Sequence, residues 1–167
     1  HPNHSCWEEV AGEPKVFRAP GEYEYSGITV RGVMTPFASE ASREHRNVAY
    51  SIEMDGLSIC HLGDIALPLI ARHLDELAPV DVLLVPTGGG CTLNLDQVLQ
   101  IMQDLEPKIV IPMHHGNNDA GLSLQDVDVF LRRMGLSETQ PQPRLIATNS
   151  NLPADMKVVL LAPQAKA

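Results

Sequence analysis

Ser58-Ile59-Cys60-His61-Leu62-Gly63-Asp64 is the stretch on which the reading of this chain turns. An apolar run that stops at a glycine and a carboxylate reads as a buried strand delivering an acidic side chain to a rigid loop. Two other segments share the design: Ile109-Val110-Ile111-Pro112-Met113 runs into His114-His115, and the chain opens with His1-Pro2-Asn3-His4. Three segments far apart in sequence, each presenting His or Asp at the end of an element, suggest one shared metal site.

Outward from that stretch the pattern changes character. On its N-terminal side lie alternating segments. Pro20 to Tyr25 and Ile28 to Val33 flank Ser26-Gly27, and Asn47 to Met54 is followed by Asp55-Gly56 and a returning strand to Leu62. Both read as antiparallel hairpins, the second with Val48, Tyr50, Ile52 and Met54 on one face. Trp7 to Val10 reads as a helical turn and Lys15 to Arg18 as a short strand. On the C-terminal side helices and strands alternate. A helix is expected from Leu67-Pro68 through Leu77, a strand from Asp81 to Pro86 and a loop at Gly88-Gly89-Gly90. A second helix opens with the capping box of Asn94 and Gln97, and a strand runs from Lys108 to Met113. A third helix is capped near Ser123 and Asp126 and stopped by Gly135. Strands at Arg144 to Ala147 and Lys157 to Leu161 close the chain. Hairpins followed by βαβ-like units predict a layered α/β fold with a mixed sheet.

At 167 residues the chain fits a single domain. Its net charge of −9 repels a phosphate backbone, so nucleic acid is not an expected partner. No apolar run approaches the ~18 residues of a membrane span. Cys6, Cys60 and Cys91 are odd in number and lack a CxxC spacing, which argues against a disulfide framework or a zinc knuckle and for a reducing, cytoplasmic setting.

Among the candidate residues, His1 and His4 can converge on one metal, since neutral imidazole is a common Zn²⁺ ligand; on spacing alone an exposed pair is the better reading. Asp64 is balanced between a loop cap and a ligand. His61 is expected to pack or hydrogen-bond within its strand, and His73 and His45 to be solvated. The glycine run lacks the Lys-Ser/Thr of a P-loop and reads as a tight turn. No Gly-x-Ser-x-Gly elbow is present, which removes a serine hydrolase.

Taken together, Gly-Glu-Tyr-Glu at 21–24, Cys-His-Leu-Gly-Asp at 60–64, Leu-Leu-Val-Pro before a glycine loop at 83–90 and Glu-Pro-Lys-Ile-Val-Ile-Pro-Met-His at 106–114 resemble the metallo-β-lactamase fold, in its branch of Zn-dependent hydrolases akin to L-ascorbate-6-phosphate lactonase. The resemblance covers nearly the whole chain and implies an αββα sandwich with metals at one edge of its sheets. The family's first motif is His-x-His-x-Asp-His, and His1-Pro2-Asn3-His4 matches its second half. An incomplete N-terminus is therefore expected, with roughly the first quarter to third of the domain upstream.

The resemblance further implies that His1 belongs to one metal with an upstream and a mid-chain histidine. His4 and His114 belong to a second metal, and Asp64 bridges both. Two departures stand out: Asn3 replaces the motif's aspartate, and Phe37 or Ala38 stands where the mid-chain histidine is expected, with His45 further along the same loop. The implied cofactor is Zn²⁺, or Mn²⁺ or Fe²⁺, as one or two ions; His4, Asp64 and His114 alone suffice for one catalytic zinc. The implied activity is hydrolysis of a small ester, lactone or phosphorylated metabolite by a hydroxide generated on the metal, with Asp64 the catalytic residue. The alternative is an inactive member binding a ligand or protein partner through the same cleft. Homo-oligomerisation stays open.

Overall fold

The structure is a computed structural model and describes residues 10–36, 46–116, 124–136 and 139–162. Its described strands are β1 (Gly21–Tyr25), β2 (Ile28–Met34), β3 (Val48–Met54), β4 (Leu57–His61), β5 (Val82–Pro86), β6 (Ile109–Met113) and β7 (Lys157–Val158). They form one sheet in sequence order. The first four pair antiparallel and the last four parallel, so β4 is the strand at which the sheet changes sense. Three helices, α1 (Ala71–Leu77), α2 (Leu95–Leu105) and α3 (Val127–Arg133), make the crossovers between the parallel strands.

Local chemistry sets these elements. In both hairpin turns the two central residues have positive φ, Ser26 and Gly27 at 52° and 79° and Asp55 and Gly56 at 51° and 75°. That pairing twists with the strands and suits tight two-residue loops. Asn94 and Gln97 form the expected reciprocal box at the start of α2, each side chain bonding the other's backbone N–H at 3.0 Å. Gly135, at φ 73°, ends the third helix just past Met134.

Strand alternation sorts the side chains between two faces. Val33, Ala49, Cys60, Leu83, Val85 and Val110 join Leu77, Val98, Ile101 and Phe130 of the helices in the main core. Val82, Ile109, Ile111 and Val159 point the other way and are covered by Leu145, Ala147 and Leu152. The helices thus lie on one face of the sheet, as same-handed crossovers between successive neighbours require. Asp81 ties the parallel strands together where they begin. Its carboxylate accepts from Ser58 N at 2.8 Å, and its carbonyl accepts from Lys108 N and Ile109 N at 2.9 and 2.8 Å.

The hairpins, the second helix and the apolar strands match expectation, and the expected αββα layering is met by one mixed sheet and one helical layer among the described residues. Five details differ, one being the closing strand, expected over Lys157 to Leu161 but confined to Lys157–Val158, with Leu161 bridging to Gln142 instead. The first helix begins at Ala71 rather than Leu67, with Ile70 extended at φ −100° and ψ 164° as its N-cap. His73, expected in solvent, is 5% exposed, and its Nδ1 accepts from Ile70 N at 3.3 Å, capping the short helix. Arg144 to Ala147 is no strand; the Asn151 side chain accepts from Thr148 N at 2.7 Å and donates to Ile146 O at 3.3 Å, folding a local turn there instead. Lys15 to Arg18 forms no strand either: Phe17 stacks on Tyr23 and its carbonyl accepts from the Tyr50 hydroxyl. Of the expected turn at Trp7 to Val10, all but Val10 lies outside the described residues. No described helix is long and apolar enough to cross a membrane.

Burial, and then the Arg72 charge, hold the His73 imidazole below its ordinary 6.5, with Glu76 opposing. The unfolded chain therefore takes up this proton first. The neutral ring contributes its full stability above the unfolded value, and that contribution is lost as pH falls below it. Thermal unfolding in chelator between about pH 7.5 and about 5.5 should show a steeper fall in wild type than in His73→Asn, and parallel slopes would reject the assignment.

Candidate metal centre

Asp64 is held by a buried amide from the residue just before β3. After β4 the chain turns through Gly63 at φ 64°, and Asn47, 6% exposed, fills the inside of the turn. Asn47 Oδ1 accepts from Asp64 N at 2.8 Å, while its Nδ2 donates to Leu62 O at 2.8 Å and Thr35 Oγ1 at 3.2 Å. A Cβ at Gly63 would collide with that Oδ1. His61 closes the same turn, its Nδ1 accepting from Gly63 N at 3.0 Å, so it supports the loop as expected of a strand histidine. Burial lowers its pKa, keeping that nitrogen an acceptor.

His114 follows β6 with φ 48°, a left-handed conformation that costs a non-glycine residue energy and clusters at functional sites. The glycine loop after β5 holds it there. Gly88 N donates to His114 O at 3.1 Å, and a Cβ at Gly88 would collide with that same oxygen. Gly89 and Gly90 follow at φ 65° and 69°, and Thr92 closes the turn by donating its hydroxyl to Gly89 O at 2.9 Å. Cys91 stands at the exposed tip of this loop.

The outcome is a three-residue cluster. One ligand atom each from Asp64, Cys91 and His114 lie within 4.8 Å of one another. His114 Nε2 and Asp64 Oδ1 are 3.6 Å apart, and both side chains are mostly buried. That spacing is too long for a hydrogen bond. It matches two ligands on one ion: a tetrahedral zinc with bonds of about 2.0–2.3 Å separates its ligand atoms by roughly 3.3–3.6 Å. Carboxylate, thiolate and imidazole are all zinc donors, so the residues present fit such an ion.

Of the residues singled out in the sequence, Asp64 and His114 are brought together here. His1, Asn3, His4, Phe37, Ala38 and His45 lie outside the described residues. His115 is beside the cluster in sequence and half-buried. Sequence reasoning missed Cys91 and Asn47. The signal for Cys91 was topological: β4, β5 and β6 are parallel neighbours, and ligands collect beyond the carboxyl ends of such strands. A cavity of about 360 Å³ lined by Ile109, Arg144, Asn151 and Lys157 sits at the other end of β6, away from the cluster.

Asn47→Ala leaves the peptide groups of Leu62 and Asp64 without their partners, so it should cost about 1–3 kcal/mol in urea denaturation. It should also weaken metal binding by about 10–100-fold, because it orients a ligand from behind. Stability and affinity both unchanged would show that Asn47 does not position Asp64.

The model of the beta-lactamase superfamily domain matches residues 1–114. A UPF0173 metal-dependent hydrolase of Carboxydothermus hydrogenoformans is 32% identical over 102 residues, which are 57% of this chain and 44% of the relative. Another, from a Polaromonas species, is 35% identical over 122 residues, 72% of this chain and again 44% of the relative. The chain thus spans less than half the length of these two curated relatives. A candidate Zn-dependent hydrolase of the metallo-beta-lactamase superfamily from Thermotoga maritima matches with a TM-score of 0.80 at 28% identity, over 95% of this chain and 77% of that one. Isothiocyanate hydrolase from Delia radicum gut bacteria shares the fold alone, at 12% identity and a TM-score of 0.57. With the domain model covering more than half of its length and the fold shared with the Thermotoga protein, the chain belongs to the beta-lactamase superfamily and has the metallo-beta-lactamase fold.

Proposed function

We propose that the chain carries the metal centre of a hydrolase acting on a small ester, lactone or phosphorylated metabolite. The observation that carries this reading is the approach of Asp64 and His114, from two strands far apart in sequence, to 3.6 Å at the carboxyl edge of the sheet. The names of the UPF0173 relatives as metal-dependent hydrolases, and of the Thermotoga protein as a candidate Zn-dependent one, support it.

Asp64 and His114 would hold the ion, Asp64 as an oxygen donor and His114 as a nitrogen donor. When bound, the metal supplies Lewis acidity, which acidifies a coordinated water and polarises a carbonyl or phosphoryl oxygen. The chain's own contribution is orientation. Asn47 fixes the backbone of Asp64, and Gly88 fixes that of His114, so neither donor has to be ordered when an ion or substrate arrives. The acidic surface, at net −9, disfavours a nucleic-acid substrate and leaves small molecules as the substrate class.

Elemental analysis of the full chain after dialysis should find zinc, manganese or iron. Turnover of a panel of chromogenic esters, lactones and phosphate esters should be lost with chelator and restored with metal. Asp64→Ala and His114→Ala should each reduce bound metal and turnover together by at least about 10–100-fold. Turnover that survives both substitutions, or a chain that binds no transition metal, would overturn the reading.

A further inference from the structure

We propose that Cys91 is a direct ligand of this ion, and that its thiolate gives the centre a preference for thiophilic Zn²⁺ over Mn²⁺ and Fe²⁺. This inference rests on the metal-hydrolase reading and deepens it. Its basis is that Cys91 Sγ lies in the same cluster as Asp64 and His114, with every pair of ligand atoms within 4.8 Å. A cysteine merely passing nearby on a loose loop would be poor support, but this loop is built. The Gly88 N–H is bonded to His114 O, and the glycine leaves no room for a Cβ between the two backbones, so the segment carrying the thiol and the turn carrying the imidazole are one rigid piece. Gln125 N donates to Gly88 O at 2.8 Å and anchors the loop from a third segment. Two consecutive left-handed glycines then reverse the chain, and Thr92 locks the reversal through both its N–H and its hydroxyl on Gly89 O.

The chemistry of the set follows from its donors. Oxygen and nitrogen alone accept Mn²⁺, Fe²⁺ and Zn²⁺ with modest discrimination, whereas a thiolate favours the softer ion. Coordination replaces the S–H proton of Cys91 by the metal, and the proton passes to solvent, so metal uptake is coupled to release of a proton from this thiol. The other thiols do not fit the role: Cys60 is fully buried in the main core, its pKa pushed up to about 12 by burial, and Cys6 lies outside the described residues.

The test uses the full chain, stripped with chelator and titrated with Co²⁺ as the spectroscopic probe. Wild type should develop a near-ultraviolet sulfur-to-cobalt charge-transfer band that saturates with binding. Cys91→Ser should still bind Co²⁺ through Asp64 and His114 yet lack the band, and its preference for Zn²⁺ over Mn²⁺, read by competition, should fall by about 10-fold or more. Cys6→Ser and Cys60→Ser should keep both band and preference. Because Cys91 is exposed, Cys91→Ser should unfold at the wild-type temperature, which separates loss of a ligand from loss of the fold. Co²⁺ binding without the band, or a band and a preference that survive Cys91→Ser, would overturn the thiolate ligand while leaving the metal site standing. Failure of the wild type to bind Co²⁺, Zn²⁺ or Mn²⁺ would overturn both.

Discussion

One buried amide, that of Asn47, links three strand ends and the first candidate ligand. Its backbone carbonyl accepts from Thr35 N just past β2, it stands immediately before β3, and its side chain bonds Leu62 O and Asp64 N just past β4. Each bond contributes about 1 kcal/mol net, yet losing the amide strands several buried groups at once, so the cost of breaking the set exceeds any single member. The consequence reaches function. Asp64 stands on a loop in sequence, but its main chain belongs to the core, and an anionic side chain is presented there without the mobility that loops usually bring.

A matching constraint works on the other side of the cluster. Pairing between β5 and β6 continues beyond the strands, with Thr87 N on Met113 O and Gly88 N on His114 O. Gly116 N and Gln125 O then extend the ladder to the segment before α3. A non-glycine residue in the left-handed region carries a penalty on the order of 1–2 kcal/mol. These bonds are what hold His114 there at φ 48° despite it. Strain of this kind persists only where neighbours over-determine the geometry, which here aims an imidazole at a carboxylate from a different strand.

What could be read from the sequence, and what could not, divides along the range of the interactions. The hairpins were legible because alternation and the Ser26-Gly27 and Asp55-Gly56 turns are local. Asp64 and His114 were legible because strands announce their own ends. Asn47 read only as the start of a hairpin, since nothing near it in sequence shows that its side chain will be buried under residues 62 to 64. His73 was misplaced because its charged neighbours suggest solvent, whereas its ring folds back onto the start of its own short helix. Arg144 to Ala147 has strand composition, but Asn151 draws Ile146 O and Thr148 N into a local turn that composition does not announce. Cys91 could not be linked to Asp64 before the strand order was known.

Register explains why those three residues meet. In the β4–β5 pairing His61 is opposite Leu84, and in the β5–β6 pairing Pro86 is opposite Met113. Carried one residue past the strand ends, the second register sets Thr87 level with His114, with Thr87 N on Met113 O, while the first gives way to the Gly63 turn that delivers Asp64. Asp64 and His114 therefore follow the two strands that flank β5, and their side chains reach inward to 3.6 Å. A slip of one residue in either pairing would turn one of them to the opposite face. Between them Gly88 has no side chain to offer, and its N–H is bonded to the His114 carbonyl. The middle strand contributes from beyond the glycine reversal instead, which is how a residue on the tip of a loop comes to stand beside two residues fixed by the sheet.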